Sequence, residues 1–289
     1  MRFAQVMIRA ALGLVAALVI GVIALRFADV RADAALRSEL FSVSSAVAAP
    51  PFDPKMVDGL PEAAQRFFLF AIQPGTPLRK TAVIRMGGEL SLGTRDDPDY
   101  QDMWADQVLA PPHGFVWQVR TGGAMLVTGT DALGPSDSWS RFRIFNAVPV
   151  GRVSRDLDHR RSSFGRMVGE GLIWTPAAFL PAAEAGWDLI EWHGLDADTA
   201  EVRVHAGDME QTARITVDSA GRLSRVLFQR WSNENAARVY RLQPFGGDVS
   251  AFETFDGFHL PTQVIGGNHY GTDLYHPFFK AKVETVSFF

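Results

Sequence analysis

An uncharged apolar run near the start of the chain constrains its structure most. Residues 10–25 contain only Ala, Leu, Val, Ile and two Gly, and Arg26 follows directly. As a helix this run is about 24 Å long, at about 1.5 Å per residue. The hydrocarbon core of a bilayer is about 30 Å thick and needs about 20 residues. Residues 6–8 supply the difference if Arg9 extends towards the headgroups, so a membrane-spanning helix is expected over residues 6–25.

Two fates are open for this segment. It is either an uncleaved signal-anchor or a signal peptide that is cut at the A-x-A site of residues 32–34. Three charged residues between positions 26 and 31 precede that site and favour the anchor. In both cases Arg2 and Arg9 keep the N-terminus cytoplasmic. We therefore expect a single-pass protein of the inner (cytoplasmic) membrane whose main domain is exported to the periplasmic side.

Composition and motifs exclude several classes of function. The net charge is −4, the isoelectric point is about 6.0 and no long run carries one sign, which argues against a nucleic-acid partner. Without cysteine there is no disulfide, no thiolate nucleophile and no cysteine-bound zinc. No G-x-S-x-G, H-E-x-x-H, Walker or G-x-G-x-x-G motif is present, and no His pair shares a helical turn. Neither a metal site nor a cofactor is predicted.

Changes in pattern divide the chain into three parts. Residues 1–26 form the anchor, and residues 27–57 are a juxtamembrane helix followed by a short proline-rich linker. Residues 58–289 form one domain, long enough to bury a core of its own. Within it, the spacing of apolar residues predicts helices over residues 60–72 and 163–180, the second breaking near a proline.

Most of the remaining domain has the period of two that is typical of strands. Strands are predicted over residues 82–92, 114–120, 124–130, 139–144, 201–205, 211–217, 223–230, 239–242, 250–255, 260–265 and 281–289. Consecutive hairpins with helices grouped in two places indicate an α+β fold. We expect a curved, mainly antiparallel sheet, half-barrel-like, with helices covering one face.

Glu170 is the most suggestive polar residue, because apolar residues surround it. Its carboxylate is expected to face the interior, where an unpaired charge would be costly. Arg166, four residues earlier, or Arg161 is the expected partner. Three roles stay open for Glu170: a structural ion pair, a general acid or base, or a group that orients a ligand in an apolar pocket.

Aromatic residues make up 11% of the chain and must be buried or line a surface. The candidates for lining the concave side of the sheet are Phe115, Trp117, Trp139 and Trp174. Each of them also fits an ordinary place in the core. No catalytic residue is assigned.

Several short motifs resemble those of a bacterial family of unknown function that has an N-terminal membrane segment. They are the R-x-x-x-E…P-x-A-L-L pattern of residues 166–180 followed by Trp187, the gF-W strand at 114–117, the leading helix at 60–67 and the G-x-x-L-P turn at 257–261. The chain departs from the pattern at Phe179, where the family has Leu, and at Pro277, which interrupts the expected last strand. The resemblance covers residues 58–289 and implies no chemistry. The strand layout is also similar to the lipoprotein-carrier (LolA-like) half-barrel, an analogy of fold alone.

These observations leave three hypotheses for the function. The first is an envelope protein that binds an apolar ligand, a lipid or an acyl chain, in the concavity of the sheet. The second is a scaffold that binds another envelope protein. The third is a hydrolase or isomerase that uses Glu170 with His159 or an arginine.

Overall fold

The computed structural model describes residues 2–45, 49–183 and 185–289. Three α-helices, α1 (Arg2–Ser45), α2 (Glu62–Ala71) and α3 (Leu157–Trp174), accompany thirteen strands. The strands are β1 (Ala82–Ser91), β2 (Tyr100–Ala110), β3 (Gly114–Thr121), β4 (Val127–Leu133), β5 (Ser138–Ile144), β6 (Val148–Ser154), β7 (Leu189–Gly194), β8 (Thr199–Ala206), β9 (Met209–Val217), β10 (Leu223–Ser232), β11 (Arg241–Phe255), β12 (Phe258–Asn268) and β13 (His276–Phe288). Short 3-10 helices occupy Pro54–Val57, Pro176–Phe179 and Pro181–Ala183.

All thirteen strands belong to one antiparallel sheet, in the order β6-β5-β4-β3-β2-β1-β13-β12-β11-β10-β9-β8-β7. The chain therefore winds outward from β1 to the edge strand β6. It reaches the other edge at β7 through α3, and then winds back until β13 pairs with β1 at the centre. Because α3 joins the two edges, it has to cross one face of the sheet. α2 and α3 pack against that face of the curved sheet, which is called the concave face below, and the opposite face is called convex.

The two faces of the sheet have separate apolar cores, as the alternation of side chains along a strand requires. Leu109 and Phe115 point to the concave face and join the main core with α2 and α3. Their neighbours Val108 and Val116 point to the convex face, where the second half of α1 covers them through Leu36 and further residues. The α+β class and the curved antiparallel sheet are confirmed. The structure adds that a helix also covers part of the second face.

Two buried carboxylates attach α1 to the convex face. Asp29 forms ion pairs with Arg143 and with Arg152, whose Nη1 lies 2.7 Å away. Asp33 accepts hydrogen bonds from Trp139 Nε1 at 2.9 Å and from a threonine of β4 at 2.7 Å. Both acids are less than 5% exposed. The predicted continuation of the anchor helix is thus a docked element of the domain.

The segment predicted as a proline-rich linker also packs on the domain where it is described. The Phe52 N–H donates to the carbonyl of Thr76 at 2.8 Å, the Leu78 N–H donates to the carbonyl of Pro50 at 2.9 Å, and Phe52 is 2% exposed. Residues 46–48, part of the same prediction, lie outside the described residues.

Several strands differ from the sequence-based expectation. β2, β6 and β7 were not predicted, because buried polar residues such as Gln107 and the exposed apolar residues of β6 obscure their alternation. β11 is one continuous strand, where two short strands were predicted. β13 begins at His276 and includes Pro277, and it pairs with β12 on one side and β1 on the other. The proline is accommodated because it lies near the start of the strand, where the register with β12 shifts between Gly266 and Asn268.

Candidate functional site

A cavity of about 530 Å³ lies between α3 and the concave face of the sheet. Its apolar wall is largely aromatic. The aromatic lining residues are Trp117, Phe142, Trp174, Phe228, Tyr240, Phe245, Phe278 and Phe279. The volume is within the range of about 300–1,000 Å³ that is usual for small-molecule sites.

Glycines set how closely the elements around the cavity approach each other. A Cβ at Gly169 of α3 would lie 2.5 Å from the ring of Phe228, so the absence of a side chain lets the helix rest on this ring. A Cβ at Gly129 of β4 would lie 2.3 Å from the ring of Phe142. Both rings line the cavity. The glycine-rich stretch at the centre of α3 therefore serves packing.

A buried charged cluster, built on α3, also lines the cavity. Arg166 Nε donates to Glu170 Oε1 at 2.7 Å, and Arg166 Nη1 donates to Asp131 Oδ2 on β4. Glu170 Oε2 accepts a further hydrogen bond from Gln107 Nε2 at 2.6 Å. The guanidinium carbon of Arg166 also lies 4.9 Å from the ring centroid of Trp117. The side chains of Arg166, Asp131 and Glu170 are all less than 20% exposed.

The cluster shifts the pKa values of Asp131 and Arg166 so that the charged form of each is favoured. Burial would raise the pKa of Asp131, but the hydrogen bond from His159 and the charge of Arg166 outweigh it and hold that pKa below its ordinary value. Burial would lower the pKa of Arg166, but Glu170 and Asp131 outweigh it and raise that pKa. Asp131 is thus ionised and Arg166 protonated at neutral pH.

Ser138, His159 and Asp131 form a chain that superficially resembles a nucleophilic triad. Ser138 Oγ lies 2.9 Å from His159 Nδ1, and His159 Nε2 lies 3.5 Å from Asp131 Oδ1. The two ring nitrogens are used in the opposite sense to a serine hydrolase, in which Nε2 faces the serine. Ser138 is only 1% exposed and does not line the cavity. The chain therefore ties the first turn of α3 to the sheet.

Two cavity side chains, an indole and a guanidinium, keep hydrogen-bonding capacity that the described residues do not use. Trp117 is 4% exposed, and its Nε1 has no hydrogen-bond partner among the described residues. Arg230 lines the cavity and forms no ion pair within the described part of the chain; its Nε donates to Ser162 Oγ at 3.1 Å. Burial, and then the charge of Arg166, lower the pKa of Arg230. These two groups are available to a hydrogen-bond acceptor in the cavity.

The structure brings together some of the residues singled out from the sequence. Trp117, Arg166, Glu170 and Trp174 line the cavity, and Phe115 is buried directly beneath the guanidinium of Arg166. The partner of Glu170 is Arg166, as the spacing of four residues indicated.

Two predicted residues lie elsewhere. Trp139 is on the convex face, where it donates to Asp33, because its neighbours Ser138 and Ser140 occupy the concave side of β5. Arg161 is exposed, and its guanidinium carbon lies 4.1 Å above the ring of Trp231. Neither takes part in the cavity.

Sequence reasoning missed Asp131, Arg230 and Gln107. Asp131 and Gln107 belong to strands that only the three-dimensional fold brings against α3. Gln107 also lies in a strand that was not predicted. Arg230 resembles any other charged residue near a strand end. The local sequence carries no signal that would single them out.

Residues 50–281 match the model of a family of unknown function, DUF6544. The chain belongs to this family. As the motifs indicated, membership brings no activity with it. The matched residues include the cavity and its charged cluster, whereas Asp29 and Asp33 of α1 precede them. No match is found among curated proteins.

Two solved structures are similar in fold to this DUF6544 member. A LolA superfamily protein from Nitrosomonas europaea has 12% sequence identity, with 84% of this chain and 94% of that chain covered at a TM-score of 0.38. A domain from Vibrio parahaemolyticus, described as an outer membrane lipoprotein-sorting protein domain, has 9% identity, with 72% and 85% covered at a TM-score of 0.34. Both proteins belong to the class that the strand layout resembles, and their similarity to this chain assigns no ligand.

Two further observations bear on function. Within residues 2–45, 49–183 and 185–289, no group of three His, Asp or Glu side chains is placed to hold a metal ion. One helix of the described chain, Phe3–Val43, is long and apolar enough to cross a membrane.

Proposed function

We propose that this protein binds an amphiphile, with a lipid or acyl chain along the aromatic wall and a polar head at the charged cluster. The observation that carries the proposal is the cavity between α3 and the concave face. Its aromatic rings offer apolar surface to a chain, and burial of apolar surface is the main source of affinity in such sites.

The polar side of the cavity supports the same ligand class. Arg166 pairs with both Asp131 and Glu170, and Asp131 Oδ1 has only His159 Nε2 beside it, at 3.5 Å. Trp117 Nε1 has no partner among the described residues, and Arg230 donates through its Nε to Ser162 and forms no ion pair there. Indole N–H and guanidinium groups only donate, so they select a head group that accepts hydrogen bonds, such as a carboxylate, phosphate or carbonyl oxygen. A pure hydrocarbon would leave the indole N–H unpaired, at a cost in affinity.

The long N-terminal helix supports a location at the cytoplasmic membrane. The side chains of residues 10–25 that α1 presents are mostly exposed and all uncharged. Exposing this apolar surface to water would be unfavourable, whereas the hydrocarbon core of a bilayer is an apolar environment of suitable thickness. We propose that α1 is a retained signal-anchor with a cytoplasmic N-terminus, and that the sheet domain lies on the exported side.

Binding can be tested on the full chain purified in amphipol, which brings no lipid of its own, by solvent extraction with mass spectrometry and by displacement of a lipophilic fluorescent dye. Arg230→Met retains an unbranched side chain that matches the aliphatic part of arginine and removes the charge, and Trp117→Phe retains an aromatic ring and removes the N–H. Loss of a hydrogen bond to a charged donor weakens binding of an anionic amphiphile roughly 10- to 100-fold, and loss of a neutral one weakens it less.

Arg225→Met is the matched control, because Arg225 is on the same strand as Arg230 but on the opposite face, half exposed. We expect it to bind the dye and the amphiphile like the wild type. Absence of any co-purified lipid, together with no dye enhancement, would contradict the proposal. Equal binding by Arg230→Met and Arg225→Met would contradict the assigned position of the head group.

A further inference from the structure

We propose that the tips of two hairpins enter the bilayer that α1 spans: residues 122–126 between β3 and β4, and residues 145–148, which are the turn after β5 and the first residue of β6. The mouth of the cavity then opens onto the same membrane surface. This inference rests on the proposed anchor and adds a second, independent contact between the domain and the lipid.

The docking of α1 fixes which end of the sheet is near the membrane. Asp33 contacts Trp139 near the start of β5, and Asp29, one turn closer to the N-terminus, contacts Arg143 near its end. Moving along α1 towards the apolar run therefore means moving along β5 towards its hairpin tip. Arg26, which closes the apolar run, lines one groove together with Arg143 and the tip residue Asn146. The apolar run continues beyond the end of the sheet where both hairpins turn.

The chemistry of the two tips fits the interface of a bilayer. Residues 121–127 and 144–151 contain no charged side chain. Met125, Phe145 and Val148 are 60%, 61% and 56% exposed. The tips are adjacent, since the Phe145 N–H donates to the carbonyl of Leu126 at 2.7 Å. Exposed apolar side chains that cluster in this way mark an interaction surface.

Cationic side chains lie immediately behind the apolar tips. Arg120 precedes the first tip and Arg143 the second, and both line a polar groove of about 570 Å³ with Arg26 and Arg85. Trp104, 43% exposed, lies in the same groove, and the guanidinium carbon of Arg120 is 4.9 Å from its ring centroid. Apolar side chains at the acyl boundary, with arginine and tryptophan at the headgroups, are typical of membrane-interface segments. Asp106 and Glu284 also line the groove; Arg85 pairs with Asp106 and Arg143 with Asp29, so Arg26 and Arg120 are the arginines placed to hold phosphate headgroups.

The mouth of the cavity lies at the same end of the sheet. In this antiparallel order the connections that follow β1, β3, β5, β10 and β12 are all at one end. The cavity is lined by residues from two of these connections, Gly93 after β1 and Asn233 and Glu234 after β10, and by Asn268 and His276, the strand ends that flank the connection after β12. An amphiphile leaving the bilayer between the tips and these loops can enter the cavity without crossing bulk water.

Site-directed labelling tests this arrangement, and the absence of native cysteine makes it direct. Single cysteines replace Met125 and Phe145 at the tips, in the full chain reconstituted in vesicles of phosphatidylethanolamine and phosphatidylglycerol. Each is labelled with a polarity-sensitive fluorophore, with and without doxyl-labelled phospholipid as quencher. We expect a blue-shifted emission and loss of intensity through the lipid quencher at both positions.

Three further positions calibrate the measurement. Leu157→Cys and Leu195→Cys are exposed controls, at 80% and 47%, and Leu157 lies roughly 20 Å from the β5–β6 tip along β6. Both should have the emission of a label in water. Val15→Cys in the apolar run should be quenched. Quenching at Val15 without quenching at the tips would overturn the inference while leaving the anchor intact. No quenching at Val15 would overturn both, and neither result depends on whether the cavity binds a ligand.

Discussion

Replacing Asp33 with alanine tests whether α1 is an integral part of the folded domain. The Asp33 carboxylate is 3% exposed and accepts hydrogen bonds from Trp139, Thr130 and, at 3.4 Å, Gln118. It also lies 3.5 Å from Arg141 Nη1. The substitution leaves the indole N–H buried without an acceptor and removes one of the two carboxylates that face the arginine.

These contacts set the loss of stability expected for Asp33→Ala. Removing one partner of a buried ion pair costs about 3–5 kcal/mol. Arg141 keeps Asp29, whose Oδ1 is 3.4 Å from its Nε, so the lower end of the range applies. We expect a loss of about 3 kcal/mol, which corresponds to about 6–12 °C in the unfolding temperature of a domain of this size.

The assay is thermal unfolding of the full chain in mild detergent, followed by tryptophan fluorescence, with limited proteolysis to report detachment of α1. Glu39→Ala is the matched control, because Glu39 is an exposed acid on the same helix, and it should change stability by no more than about 0.5 kcal/mol. In a double-mutant cycle, Trp139→Phe should lose most of its effect once Asp33 is absent. An Asp33→Ala protein with the unfolding temperature and protease resistance of Glu39→Ala would refute the docking of α1.

Three further predictions concern the cavity. Asp131 has a lowered pKa in the folded state, so its contribution to stability is complete above the unfolded value of about 3.9 and is lost as the pH falls through the folded value. The gap in urea-unfolding free energy between wild type and Asp131→Asn should therefore narrow as the pH is lowered from 5 towards 3; parallel pH profiles would contradict this. Glu170→Gln should destabilise the chain by about 2 kcal/mol, because Arg166 loses a charged acceptor; an unchanged melting temperature would favour a catalytic role instead. Gly169→Ala should cost about 1–3 kcal/mol in urea unfolding through collision with a ring of β10, whereas Gly21→Ala, with no atom within 4 Å, should be neutral; equal effects would contradict the packing described here.

Interactions within one element could be predicted from the sequence, and those between distant elements could not. The ion pair of Arg166 with Glu170 follows from four residues of spacing on one helix. The β3–β4 hairpin follows from two alternating runs around a pair of glycines. By contrast, β1 pairs with β13 almost 200 residues later, so that the centre of the sheet is formed by the two ends of the domain. No local pattern reports a pairing over that separation.

Trp139 illustrates a second limit. Alternation along a strand shows which residues share a face, but it does not show which face is concave. In a sheet that is covered on both sides, an apolar residue on either face is buried. Trp139 is 6% exposed, as the sequence led us to expect for a large aromatic residue, yet its indole contacts Asp33 on α1 instead of the cavity. Only the position of α1 on the convex face decides between the two.

The charged cluster is better explained by a ligand than by stability. A buried group of ions is commonly no more stabilising than apolar side chains of the same volume, because desolvation offsets the attraction between the charges. Asp131, Arg166 and Glu170 moreover border a cavity of about 530 Å³, where stability alone would favour apolar side chains that fill the space. Trp117 Nε1 then adds a donor that nothing in the described chain satisfies, and Arg230 adds a cation that has a hydrogen bond to Ser162 but no ion pair there. An amphiphile whose head accepts from these groups supplies the missing hydrogen bonds. Its chain, lying along the aromatic wall, fills the empty space. On this argument binding should raise the unfolding temperature of the wild type more than that of Arg230→Met, and equal shifts would place the ligand elsewhere.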